Sequence, residues 1–104
     1  PAYRYQAELS RMIDGDTMVF DVDCGFHVHV HATVRLNGWN CPERSTEHGP
    51  RATAASEALL RAATVIILET ERDVQSFARW VARIWVDGQE LGALLEAAGW
   101  AKKL

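Results

Sequence analysis

The chain has 104 residues, of which 48% are hydrophobic and 24% charged, so it fits one globular domain with a single core. No apolar run approaches the roughly 20 residues that a membrane-spanning helix needs. The formal net charge is −3, whereas proteins that bind nucleic acid usually carry a basic surplus. The charge therefore argues against tight binding of a polyanion more than against catalysis on one.

The first part of the chain predicts three strands joined by short turns. Residues 3–13 alternate loosely and end at an Asp14-Gly15 turn, and residues 17–23 are rich in β-branched and aromatic side chains. Residues 26–36 alternate strictly, with the valines, an alanine and a leucine on one face and three histidines, a threonine and Arg35 on the other. Consecutive strands with short connections predict an antiparallel meander.

The second part predicts a helix, two strands and another helix. Residues 50–63 start with proline and are rich in Ala, Leu and Glu, which favours a helix. Its predicted buried face consists of Ala54, Ala58, Leu59 and Ala62. Residues 64–70 and 79–86 predict strands, and residues 91–98 predict a short helix. This order is compatible with a five-stranded barrel in an α+β, mainly β domain.

Two short blocks carry the residue types of a metal-assisted phosphodiesterase. Asp14-Gly15-Asp16-Thr17 places two carboxylates around a glycine, and a second block ends a strand with Arg35 and places Glu43 just after a proline. Carboxylates bind hard cations, an arginine fork binds phosphate, and a glutamate can act as a base. Taken alone, the first block also fits an ordinary turn that its aspartates stabilise.

Six motifs in order give the chain a resemblance to the staphylococcal nuclease (thermonuclease) family along nearly its whole length. The matching segments are Ile13-Asp14-Gly15-Asp16-Thr17, Asn40-Cys41-Pro42-Glu43, His48-Gly49-Pro50, Ala78-Arg79, Val86-Asp87-Gly88 and Gly99-Trp100-Ala101. The resemblance implies an OB-fold with about two helices and a single domain over residues 1–104 that lacks the family's C-terminal helix. It also implies an endonuclease that hydrolyses DNA or RNA with little sequence specificity and leaves 3′-phosphate ends.

The resemblance assigns roles to individual residues. Glu43 matches the family's general base, and Arg35 and Arg79 match the two arginines that hold the phosphate. Ca²⁺ is the expected cofactor, with Mg²⁺ or Mn²⁺ as open alternatives. The expected ligands are Asp16, Asn40 and the backbone carbonyl of Cys41, and the expected supporting residues are Asp14 and Thr17.

The chain departs from the family pattern at several site positions. Asn40 stands where better-known members have an aspartate, and the loss of one negative ligand predicts weaker cation binding. A Lys-Tyr pair of the family is replaced by Ser76-Phe77, where Phe77 can still stack on a base. Ser76, Phe77 and Arg83 are the candidate substrate contacts. Together with the missing C-terminal helix, this replacement predicts looser substrate binding, or completion of the substrate-binding surface by a second copy or by a protein partner.

The cysteines and histidines leave alternatives open. Cys24 and Cys41 are too few for a disulfide framework, and the sequence does not show whether they pair. We expect free thiols, which favours the cytoplasm over secretion while leaving the compartment open. The three histidines of the third strand share one face, but ligands spaced about 7 Å apart cannot close around one zinc ion. We therefore expect this row to face solvent.

Two functions of different classes follow from these patterns. The leading interpretation is a metal-dependent nuclease, because Arg35, Glu43 and Arg79 are all present. The alternative is a nuclease-like module with weakened catalysis that binds nucleic acid or protein. Asn40 and the acidic balance of the chain favour the alternative.

Overall fold

The computed structural model describes residues 2–71 and 80–104 of the chain. These residues form strands and helices in an order close to the predicted one. The elements are β1 (Ala2–Asp14), β2 (Thr17–Asp23), β3 (His29–Leu36), β4 (Trp39–Asn40), α1 (Gly49–Ala62), β5 (Ile66–Glu71), β6 (Trp80–Val86), β7 (Gln89–Glu90), α2 (Leu91–Ala97) and β8 (Lys102–Lys103).

Five of the strands close into a barrel. Neighbouring strands follow the order β3-β2-β1-β5-β6, each antiparallel to the next, and a parallel pairing of β3 with β6 closes the barrel. The predicted meander and the mainly β, five-stranded OB-fold-like barrel are therefore confirmed. Strand β7 extends the sheet beyond β6, while β4 and β8 form a separate antiparallel ribbon. These three strands were not predicted, because each has two residues, too few to show a period.

The barrel interior and one face of α2 form a common hydrophobic core. Side chains alternate along each strand, and Phe20, Leu68 and Ile84 are fully buried inside the barrel. In α2, Leu91 and Leu95 are four residues apart, so they lie on one helix face, and both are fully buried. The shared core fixes α2 relative to the barrel, and α2 in turn supports the ribbon beside it.

Helix α1 buries a different face from the one predicted. Ala54, Ala58 and Ala62 are exposed, and Leu59 is only half-buried. The buried residues are Gly49, Ala52, Thr53, Ser56 and Leu60. Four of these side chains are small, which lets the helix lie close against β1. Two of them are polar, so the spacing of hydrophobic residues along the sequence predicts the wrong face.

Helix α1 is also the longest helix in the described part of the chain, with 14 residues. Within residues 2–71 and 80–104, no helix is both long enough and apolar enough to cross a membrane.

Strand β3 starts later than predicted. It begins at His29 because Phe26 and His27 adopt positive φ angles of 54° and 60° in the preceding turn. Val28 and Val30 belong to the apolar set of the alternating pattern but are 51% and 46% exposed. The inward face of β3 becomes buried only towards its C-terminal end, where β6 pairs with it.

The histidine row lies on the surface, as expected. All three histidines of this region are exposed. His29 Nδ1 is 3.5 Å from Asp21 Oδ1, and His31 is in register with Asp21 across the β2–β3 pair. The row is therefore an exposed sheet face with carboxylate neighbours.

Candidate active site

The turn between β1 and β2 holds the loop after β4 through its two carboxylates. Asp16 Oδ2 accepts a hydrogen bond from the Cys41 backbone N–H at 2.8 Å, and Asp14 Oδ1 accepts one from the Arg44 N–H at 2.8 Å. Thr17 Oγ1 donates to Asp16 Oδ1 at 3.2 Å. Asp16 is only 6% exposed, so these bonds satisfy a carboxylate that water barely reaches. The two sequence blocks therefore meet in space.

Arg35 lies at the end of β3 beside this turn. Its Nη1 donates to the carbonyls of Leu36 and Trp39 at 2.8 and 2.9 Å, and its Nη2 donates to Asn40 Oδ1 at 3.0 Å. Nη2 also lies 3.6 Å from Asp16 Oδ2 and forms an ion pair with it. The Leu36 N–H donates to the Asp16 carbonyl at 2.7 Å, which ties β3 to the turn. The guanidinium therefore stabilises the β3–β4 turn through hydrogen bonds and places a positive charge beside a buried carboxylate.

Glu43 begins a tight loop whose backbone is fixed while its side chain is exposed. Its carbonyl accepts hydrogen bonds from the Thr46 N–H at 2.9 Å and from Thr46 Oγ1 at 2.6 Å. Gly49, the first residue of α1, packs so closely that a Cβ there would overlap the Glu43 carbonyl. Glycine at this position therefore lets the helix and the loop meet, and the Glu43 carboxylate remains accessible to a ligand.

The β4–β8 ribbon carries two lysines that were not predicted, and one of them lies next to Asn40 of the site. Asn40 is in register with Lys102, and Trp39 is in register with Lys103. Lys103 Nζ lies 5.7 Å from the centroid of the Trp39 ring, and Trp39 Nε1 donates to Glu96 Oε1 of α2 at 2.9 Å. The sequence feature that could have indicated them is that these two adjacent residues are the only lysines in the sequence.

Asp16, Asn40 and Cys41 supply oxygen atoms that could hold a cation. A carboxylate, an amide oxygen and a backbone carbonyl are hard ligands of the kind that Ca²⁺ prefers. However, this set carries one negative charge, and the Arg35 guanidinium contacts both side-chain donors. In the described residues no group of three or more His, Cys, Asp or Glu side chains could hold a metal ion. The donors therefore suit a hard cation that binds weakly.

The remaining predicted residues fall into two groups. Ser76, Phe77 and Arg79 lie outside the described residues. Arg83 is an exposed residue of β6, and its Nε and Nη2 donate to the Glu90 carboxylate at 2.7 and 3.0 Å. This hydrogen bond and the charge of Glu90 raise the pKa of Arg83 above its ordinary value. Both of these donors are used within the protein, and the role of Arg83 as a substrate contact stays a prediction.

Cys41 is a buried thiol under the β1–β2 turn. Both Cys41 and Cys24 are free, as expected. Burial, followed by the charge of the Asp16 carboxylate, raises the pKa of the Cys41 thiol to about 11. The thiol is therefore protonated at neutral pH, which is the unreactive form of cysteine.

The raised pKa of Cys41 predicts a loss of stability in alkali. The thiol of the unfolded chain ionises near pH 9 and that of the folded chain near pH 11, so the unfolded state binds fewer protons between these values. We expect the free energy of unfolding to fall over this window by up to roughly 2–3 kcal/mol from this group. Urea titrations in EDTA measure the free energy of unfolding of the parent and of Cys41→Ala at pH 8 and at pH 11. The difference between the two proteins should be smaller at pH 11 than at pH 8. A difference that is the same at both pH values would contradict the raised pKa of the Cys41 thiol.

Comparison of the chain with protein-family models and with curated proteins finds no match. The resemblance to the thermonuclease family therefore rests on the six motifs. Fold and site together define an OB-fold-like barrel in which an arginine at the end of β3 pairs with a buried carboxylate, with an exposed glutamate on the loop after β4.

Proposed function

We propose that this chain is a metal-dependent phosphodiesterase that cleaves DNA or RNA internally with little sequence preference, with Ca²⁺ as the expected cation. One observation carries the proposal: the Arg35 guanidinium contacts both the buried Asp16 carboxylate and the Asn40 amide oxygen. Phosphodiester hydrolysis needs fixed positive charge for the phosphate beside oxygen ligands for a metal ion. The resemblance adds the expectation of 3′-phosphate ends.

Glu43 is the proposed general base. Its backbone carbonyl is fixed by Thr46, and its side chain is exposed. A carboxylate on a rigid loop can take a proton from the attacking water as the new P–O bond forms. Asp14 supports this role because its hydrogen bond to the Arg44 N–H holds the next residue of the loop.

Arg35 is the proposed phosphate contact. Hydrogen bonds to Leu36, Trp39 and Asn40 fix the plane of its guanidinium. These bonds use Nη1 and Nη2, and Nε is the proposed donor to a phosphate oxygen. A donor that is already oriented needs no rearrangement when charge develops on the phosphate. Arg79 is proposed as a second phosphate contact on the basis of the motif alone.

The proposed metal ligands are the Asp16 carboxylate, the Asn40 amide oxygen and the Cys41 carbonyl. The chemistry that a bound divalent cation supplies is neutralisation of negative charge on the phosphate. The single negative charge of this ligand set is the reason that we expect weak binding of the free cation.

A binding module with weakened catalysis is the second candidate function. The observation that favours it is that Asp14 and Asp16 each accept a backbone N–H, while Arg35 donates to three protein oxygens. A domain that has lost catalysis would keep the same residues to hold its loop in place. The two candidates differ in whether bound nucleic acid is cleaved.

A gel assay separates the two candidates. Purified protein is incubated with plasmid, single-stranded DNA and RNA in Ca²⁺, Mg²⁺, Mn²⁺ or EDTA. The nuclease proposal predicts cleavage with at least one of the divalent cations and none in EDTA. Full activity in EDTA would reject the metal-dependent mechanism. Binding without cleavage in every condition would favour the module.

Replacing Asn40 by Asp should strengthen cation binding. The substitution adds a carboxylate next to Asp16, and its attraction to a divalent cation exceeds its attraction to the single charge of Arg35. We expect roughly tenfold tighter Ca²⁺ binding and a larger rise in melting temperature with Ca²⁺ than the parent shows. Calorimetry measures both, and Asn37→Asp is a control with the same added charge on an exposed residue. Equal affinity of Asn40→Asp and parent would mean that residue 40 does not bind the metal.

A further inference from the structure

The ribbon sets Lys102 beside the proposed active site. In an antiparallel pair, residues in direct register have their side chains on the same face, with Cβ atoms roughly 4.5–5.5 Å apart. Lys102 is in register with Asn40, and the Asn40 side chain accepts a hydrogen bond from Arg35 Nη2 at 3.0 Å. The Lys102 side chain therefore lies on the face of the ribbon that carries the Arg35 and Asn40 contact. Both Asn40 and Lys102 are exposed.

The neighbouring lysine has a different environment. Successive residues of a strand point to opposite faces, and Lys103 Nζ lies over the Trp39 ring at 5.7 Å from its centroid. Lys103 is thus engaged in a cation–π contact. In the part of the chain that the structure describes, no carboxylate lies within salt-bridge distance of Lys102. One lysine of the pair packs on the ribbon, and the other leaves its charge beside the site.

We propose that Lys102 binds a phosphate of the nucleic-acid chain next to the phosphate that is cleaved. This inference rests on the proposed nuclease function. Arg35 donates to three protein oxygens and the chain has a net charge of −3, so a polyanion needs a further local cation. A lysine ammonium binds phosphate as a compact point charge on a flexible stem. The substrate class that uses this contact is a polynucleotide with phosphates on either side of the cleaved bond.

The test uses two variants that remove the same charge from adjacent residues. Lys102→Gln and Lys103→Gln are compared with the parent on a ten-nucleotide single strand and on a dinucleoside monophosphate, which has no flanking phosphate. We expect Lys102→Gln to raise KM for the ten-nucleotide strand about fivefold without changing kcat, and to leave cleavage of the dinucleoside monophosphate unchanged. Lys103→Gln should cleave both substrates as the parent does.

Binding provides a second readout that does not need turnover. In a Glu43→Gln background, fluorescence anisotropy of a labelled ten-nucleotide strand is measured from 50 to 200 mM salt. Loss of one phosphate contact should lower the slope of log K against log salt by about 0.7 for Lys102→Gln only. Equal effects of the two lysine variants, or equal effects of Lys102→Gln on both substrates, would overturn the Lys102 contact. Absence of both binding and cleavage by the parent would instead refute the nucleic-acid function.

Discussion

Glu43→Gln should lower the rate of nucleic-acid cleavage by roughly 10²–10⁴-fold, because a glutamine cannot accept the proton of the attacking water. The side chain is exposed, and the contacts that hold the loop use the backbone of Glu43 rather than its carboxylate. We therefore expect the melting temperature to stay within about 3 °C of the parent value, since exposed substitutions rarely change stability by more than about 0.5 kcal/mol. Single-turnover cleavage and thermal denaturation measure the two effects.

Glu47→Gln is the matched control for this variant. Glu47 is an exposed glutamate of the same loop, and its replacement removes the same charge. Cleavage by Glu47→Gln should stay near the parent rate. A Glu43→Gln protein that cleaves as fast as Glu47→Gln would show that Glu43 is not the base.

Arg35→Ala should lower both stability and cleavage. Its removal leaves the carbonyls of Leu36 and Trp39 without their donor and removes the positive charge beside the buried Asp16 carboxylate. We expect a loss of about 2–4 kcal/mol in the free energy of unfolding, because unsatisfied buried groups each cost about 1–3 kcal/mol. Loss of an oriented phosphate donor should lower cleavage by a further 10²–10³-fold, as is typical for one such donor.

Arg35→Lys separates the two roles of this residue. A lysine keeps the charge near Asp16 but cannot donate to Leu36, Trp39 and Asn40 at once, so stability should recover in part while cleavage stays low. Arg51→Ala, on an exposed face of α1, is the control and should change neither property. If Arg35→Ala has the same free energy of unfolding as the parent, Arg35 does not stabilise the β3–β4 turn. If Arg35→Lys cleaves at the parent rate, the guanidinium is not required for the phosphate contact.

The barrel could be predicted because its strands carry strong local signals. Strand-like patterns along β1, β2 and β3, with short turns between them, were enough to predict the meander. The five-stranded barrel followed from the order of strands and helices together with the family resemblance. Local patterns failed where a tertiary contact decides the outcome. Helix α1 buries small residues because it lies close to β1. The spacing of hydrophobic residues along the sequence does not show a need for small residues at an interface.

The candidate site residues were proposed from the sequence, whereas the hydrogen bonds between them were not. The family resemblance assigned Asp16, Arg35, Asn40 and Glu43 to one site. In the structure, Arg35 contacts both Asp16 and Asn40. The hydrogen bonds from Arg35 to the carbonyls of Leu36 and Trp39 were not predicted, because such bonds depend on the path of the turn. Lys102 was missed for a similar reason, since a two-residue strand becomes visible only through the partner with which it pairs.

Cleavage of one labelled oligonucleotide tests the central claim most directly. A single-stranded DNA labelled at its 5′ end is mixed with the parent protein in Ca²⁺, excess EDTA is added midway, and Glu43→Gln is run in parallel. The account predicts internal cleavage that leaves 3′-phosphate ends, stops when EDTA is added and is nearly absent with Glu43→Gln. Cleavage that continues in EDTA, or that proceeds equally with Glu43→Gln, would contradict it.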